Sequence, residues 1–177
     1  MNGMSSAQSS ARAFRRPRDM FLSLAVLLVP IAAFFLVWNL VADGSQARRI
    51  DPTSTFTEAE GVGLAVMRPD GLDVDWQPVS AAMNHESGRP VLRVGYQTPD
   101  GAGVQLVETS VDPEALLAAE LSGGSRPDGS TSQGGRDWQV FQTPGGNAVV
   151  YSDESITVLV HGDTDVAELS QFVRALV

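Results

Sequence analysis

From Met20 to Ala42 the chain carries no charged residue in 23 consecutive positions, and Phe21 to Trp38 is apolar apart from Ser23 and Pro30. An α-helix rises about 1.5 Å per residue, so roughly 20 apolar residues cross a hydrocarbon core of about 30 Å. The run therefore predicts one transmembrane helix over 20–42. Arg12, Arg15, Arg16 and Arg18 precede it with Asp19 as the only acid, and the next basic residues after it are Arg48 and Arg49. Positive charge is retained on the cytoplasmic side, which places residues 1–19 inside and the rest of the chain outside the cytoplasmic membrane. Pro30 lies mid-span, where it removes one helical donor and predicts a mild kink. Trp38, near the outer end, suits the headgroup interface. The competing reading is a cleaved signal peptide, with Ser45-Gln46-Ala47 as the best small-residue site. Its apolar region is too long for that, and Pro17-Arg18-Asp19 spoils a twin-arginine export signal, so the segment is read as a retained signal anchor.

Composition bounds what the outer part can do. The chain has 177 residues, no Cys, 12 basic residues that are all Arg, and 21 acids. Absence of Cys excludes disulfides, thiolate nucleophiles, Cys-ligated zinc and a lipid-modified Cys anchor; absence of Lys excludes Schiff-base chemistry and a phosphate-loop Lys. Residues 1–19 carry a net +3, whereas residues 43–177 carry a net −12. Nucleic acid is thereby disfavoured as a partner, because phosphate contacts need clustered cations.

The organisation expected is a disordered basic stub over 1–19, the span over 20–42, a polar stalk over 43–52 and a folded domain over 53–177. Alternation in Leu72-Asp73-Val74-Asp75-Trp76 predicts a short strand ending at Gln77, before Pro78. His85 then falls in a loop, Met83–Ser87. Residues 90–97 and 104–109 read as strands of a hairpin turned by Pro99-Asp100-Gly101. Asp112-Pro113-Glu114 opens a helix with Leu116, Leu117 and Leu121 inward, stopped at Gly123-Gly124. The Gly- and Ser-rich stretch 122–135 reads as a flexible loop. Strands follow at 138–142, 147–151 and 155–160, and Val166, Leu169, Phe172, Val173 and Leu176 give a closing amphipathic helix over 164–176. The fold class expected is α+β: an antiparallel sheet with about two helices packed on one face.

One set of features points to a known family. Arg16-Pro17-Arg18-Asp19-Met20 leads straight into the span; Tyr96-Gln97-Thr98-Pro99, Gly134-Gly135-Arg136-Asp137-Trp138 and His161-Gly162-Asp163-Thr164 follow in an acidic outer domain. In this order the chain resembles the actinobacterial domain of unknown function 4245 family. The resemblance implies a single-pass cell-envelope protein and brings no catalytic residues with it.

The residues themselves nominate no catalytic, cofactor or metal site. The two His, His85 and His161, lie 76 positions apart, Asp73 with Asp75 and Asp163 with Asp165 lack the longer ligand series of a calcium loop, and no Gly-x-Ser-x-Gly elbow is present. Trp76 and Trp138 read as core or edge packing, with an exposed aromatic floor as the alternative. Trp76, His85, Tyr96 and Trp138 are the candidates for a binding surface. The functional expectation is a non-catalytic, membrane-anchored module that binds an envelope protein, a lipid or a small molecule. An accessory subunit of an envelope membrane complex is the alternative, and an envelope hydrolase the third reading.

Overall fold

The computed structural model describes residues 28–31, 48–121 and 124–177. The chain divides into two units, Met1–Gln46 and Ala47–Val177. Of the first, residues 28–31 are helical and include Pro30; the remainder of the expected span, the stub 1–19 and the first part of the stalk lie outside the described residues. Among the described residues no helix is long and apolar enough to cross a membrane.

The second unit is an antiparallel sheet of seven strands with three short helices, an α+β fold. Its elements are α1 (Thr53–Gly61), β1 (Gln77–Glu86), β2 (Arg89–Gln97), β3 (Gly103–Thr109), α2 (Pro113–Glu120), β4 (Arg126–Gln133), β5 (Arg136–Thr143), β6 (Gly146–Ser152), β7 (Thr157–Gly162) and α3 (Val166–Arg174). The spatial order is β1-β2-β3-β7-β6-β5-β4. Two meanders, β1–β3 and β4–β7, thus meet at the β3–β7 pair in the middle, where Leu106 faces Val160 and Val107 faces Leu159. Between them α2 carries the chain from the centre of the sheet to its far edge.

Side chains alternate between the two faces of each strand. One face carries Leu92, Val94, Leu106, Trp138, Val149, Val158 and Val160, and α1, α3 and the segment 64–76 cover it. The opposite face carries Val91, Val107, Ala148, Val150, Leu159 and Phe141, which pack under Leu116 of α2 and Leu121 just after it. The helices therefore lie on both faces, not on one as the pattern suggested. An eight-residue helix with two inward leucines leaves only a weak periodic signal of which face it takes.

Three local expectations are also corrected. Residues 72–76 form a turn, Trp76 N–H donating to the Asp73 carbonyl at 3.0 Å, and the strand begins after them at Gln77. It runs through Pro78, where the register shifts, and includes His85. Proline is tolerated because β1 is an edge strand. Ser87-Gly88, with φ of 51° and 80°, turns it into β2. Second, residues 126–133 of the supposed flexible loop form β4, the other edge, turned into β5 by Gly134-Gly135 at φ 60° and 74°. Its residues are almost all exposed, so no apolar alternation marks it. Third, α1 was unforeseen: only Phe56 and Ala59 are buried in it.

Candidate functional site

The segment between α1 and β1 shapes the site. Leu64 and Met67 are buried in the large core, and Glu108 of β3 fastens the segment by accepting the Met67 N–H at 3.1 and 3.3 Å. Beyond Met67 the chain pairs with the C-terminus: Arg68 and Val177 exchange two backbone hydrogen bonds at 3.1 Å, and Asp70 N–H donates to the Ala175 carbonyl at 2.7 Å. Residues 69–76 are thereby held as a rim, and between that rim, α1 and the β1–β2 edge lies a cleft of about 320 Å³.

Three aromatic residues line this cleft: Phe56, Trp76 and Tyr96. All three are buried, and Phe172 of α3 stands behind two of them, its ring 5.2 Å from that of Trp76 and 4.9 Å from that of Tyr96, the latter edge-on. Edge-to-face and tilted contacts at these distances fix ring orientation as well as burying area. Two guanidinium groups reach the same cleft. Arg68 lies 5.4 Å above the Phe56 ring and pairs with Glu60 at 2.8 Å; Arg49 is exposed at the point where the chain enters the domain. Asp73, exposed on the rim, also lines it, as does Val74 at 74% exposure. The result is a cleft with buried aromatic rings at its base and a mixed wall, in which Leu72 and Val74 stand beside charges of both signs.

Two buried acids of different strength support the lining. Burial pushes the Glu108 carboxyl well above the usual carboxylate range, against the Met67 N–H and the Arg68 charge, which both hold it down. Burial first, and the neighbouring Glu108 second, push the Tyr96 phenol up, so Tyr96 remains an uncharged donor at any physiological pH. The Trp76 indole N–H is buried with no hydrogen-bond partner among the described residues.

Of the four residues expected at a binding surface, the fold brings Trp76 and Tyr96 together and separates the other two. Trp138 is fully buried, its N–H donating to the Gln133 carbonyl at 3.3 Å and its ring 5.5 Å from Tyr151. His85 is exposed near the end of β1, opposite Pro90. Sequence reasoning missed Phe56, Arg49 and Arg68. The adjacent pair Arg48-Arg49, the first basic residues after the apolar run, was the one signal available.

The face covered by α2 has a second hollow, also of about 320 Å³, which includes the row Ser80, Gly95, Gln105 and His161. These residues are cross-strand neighbours through β1, β2, β3 and β7. Burial pushes the His161 imidazole below its ordinary value, against the attraction of Glu120, and its Nε2 is buried without a partner among the described residues. Arg93, beside this row, is held by Glu86 at 2.7 Å and by Glu120. Among the described residues no group of three or more His, Asp or Glu side chains is placed to hold a metal ion.

No curated protein and no solved structure matches the chain. A family model described as "Protein of unknown function (DUF4245)" matches residues 12–176, nearly its whole length, and the chain belongs to that family.

Proposed function

We propose that this protein is a non-catalytic binding module, anchored in the cytoplasmic membrane by residues 20–42 with its α+β domain on the outer side. The observation that carries the binding role is the cleft lined by Phe56, Trp76 and Tyr96, with Arg49, Arg68 and Asp73 also in its wall. Its volume stands at the small end of the range of ligand sites, and its wall, polar and apolar in nearly equal share, suits an amphiphilic ligand. Anchoring rests on the uncharged run and on the Arg asymmetry around it.

The test is native mass spectrometry of the full chain released gently from its own membrane. A small molecule retained in fixed stoichiometry is expected, and Leu72→Trp, which places bulk in the cleft wall, should abolish its retention. A chain that carries nothing in either form would sink the reading. Orientation is checked separately, by protease added to intact cells stripped of their wall: residues 47–177 should be accessible and residues 1–19 protected.

A further inference from the structure

We infer that the cleft at the N-terminal end of the domain takes the headgroup and upper chain of a zwitterionic aminophospholipid from the leaflet beneath it. This deepens the binding-module reading and rests on it. Seven residues lead from Ala42, the last of the uncharged run, to Arg49 in the cleft wall. Fully extended they reach at most about 25 Å. A domain of this length has a radius of gyration of about 14 Å, which for a sphere is roughly 36 Å across, so the tether is shorter than the body it holds. The chain entry, and with it Arg49, Pro52 and Thr53 on the wall of the cleft, is therefore never more than about 25 Å of chain from the end of the uncharged run, close enough for the cleft to meet lipid headgroups. The opposite end of the domain is under no such constraint.

The chemistry of the wall selects among those headgroups. The outer region is acidic throughout, at a net −12, yet two of its eight Arg converge on this cleft. Guanidinium groups are suited to phosphate oxygens through paired N–H donors. Arg49 has no acidic partner among the described residues and is exposed; Arg68 shares its charge with Glu60. Asp73, exposed on the rim, is the counterpart for an ammonium group. One phosphate and one ammonium on a short linker match two guanidiniums and one carboxylate. A headgroup with phosphate alone leaves Asp73 facing like charge. The apolar part of the lining then receives the first carbons of an acyl chain, which is how a shallow cleft can hold a lipid without extracting it from the bilayer.

The experiment uses the full chain in nanodiscs of digalactosyldiacylglycerol, a bilayer lipid with neither phosphate nor ammonium, with Trp38→Phe to remove the indole within the span. Tail-brominated phosphatidylethanolamine or tail-brominated phosphatidylglycerol is added at the same mole fraction, and quenching of indole emission is recorded. Trp138, buried elsewhere in the sheet, contributes an unquenched background. Brominated phosphatidylethanolamine should quench the remaining emission at least twofold more than brominated phosphatidylglycerol. Arg49→Gln should remove the quenching by both lipids, and Asp73→Asn should erase the preference between them; both positions are exposed, so neither change disturbs the core. Equal quenching by both lipids in the parent chain overturns the headgroup assignment. Absence of quenching, with a non-lipid molecule retained by the native protein, overturns the lipid inference and leaves the binding module standing. Absence of quenching together with no retained molecule overturns both.

Discussion

The two faces of the sheet are built to different standards. The face under α1 and α3 is apolar from β2 across to β5, and its residues Leu92, Val94, Leu106, Trp138, Val149, Val158 and Phe172 are all fully buried. The face under α2 is apolar in one patch only, beside which runs the row Ser80, Gly95, Gln105 and His161. Dimensions explain the difference. Seven strands spaced about 4.8 Å apart make a sheet roughly 29 Å wide, whereas the eight residues of α2 extend about 12 Å. However α2 is laid, it covers less than half of its face, and the uncovered strip must be polar or small. The first face is where stability is concentrated; the second is a partial cover whose remainder tolerates water.

Removing one anchor from each face should separate the two faces most widely. Phe172 touches both Trp76 and Tyr96 and is fully buried, so Phe172→Ala should cost about 3 to 5 kcal/mol. Leu116 of α2 is as well buried, but its helix can shift toward the space left, and Leu116→Ala should cost only about 2 kcal/mol, the low end for such changes. Urea unfolding of the full chain in detergent measures both. Equal losses would mean that the two faces are equally committed to the fold.

Glu108 provides a second, pH-dependent probe, because it is a fully buried carboxyl on the apolar face. Burial raises its pKa in the folded protein above the ordinary value of 4.5. A proton therefore binds the folded state more tightly than the unfolded one. The stabilisation is complete below the ordinary value and is lost as pH rises through the raised one. Glu108→Gln keeps an oxygen to accept the Met67 N–H and cannot ionise, so its unfolding free energy should fall less with rising pH, and the gap to the parent should widen above pH 5. Parallel pH profiles for the two proteins would show that Glu108 is not desolvated.

On the partly covered face the sharper test is steric. A Cβ on Gly95 would run into the Ser80 hydroxyl, while Ser80 Cβ would stand at an ordinary 3.7 Å. Gly95→Ala should cost about 1 kcal/mol, at the low end for overpacking, because the obstacle is the end of one short side chain. Ser80→Ala should restore nearly all of it in the double variant, read as a coupling energy from four melting curves. A loss that persists in the double variant would locate the strain in the backbone and make this face less compliant than its neighbours suggest.

What the sequence displayed of this architecture follows the same division. Strands β2, β3, β5, β6 and β7 and the helix α3 were legible because each buries a continuous face, and burial is what writes period-two or period-3.6 patterns into a chain. The edge strands were not. β4 is almost wholly exposed and is held by hydrogen bonds to β5 and a Gly-Gly turn, so it reads as a loop; β1 runs through Pro78, which looks like a stop. The site was half legible. Trp76 and Tyr96 stood out by residue type, but their convergence depends on Phe172, 76 residues after Tyr96, and on a rim closed by the C-terminus. Phe56 was hidden in a helix with too few buried residues to announce itself.

The smallest expected effect separates the faces by cooperativity. Asp165 caps α3 by accepting the Glu168 N–H at 2.8 Å, with the Thr164 hydroxyl bonded to the Glu168 carboxylate; Asp112 caps α2 by accepting the Glu114 N–H at 2.9 Å. Each cap is worth about 1 kcal/mol to its helix. Because α3 packs into the continuous core, Asp165→Ala should pass that loss to global unfolding and lower the melting temperature by a few degrees. α2 rests on one patch and can open while the sheet stays folded. Asp112→Ala should therefore accelerate amide hydrogen exchange at Leu116 and Leu121 about fivefold, the rate equivalent of about 1 kcal/mol, while leaving the melting temperature almost unmoved. If instead the melting temperature falls as far as for Asp165→Ala, α2 unfolds with the sheet, and the partial cover is as much a part of the cooperative core as the face opposite.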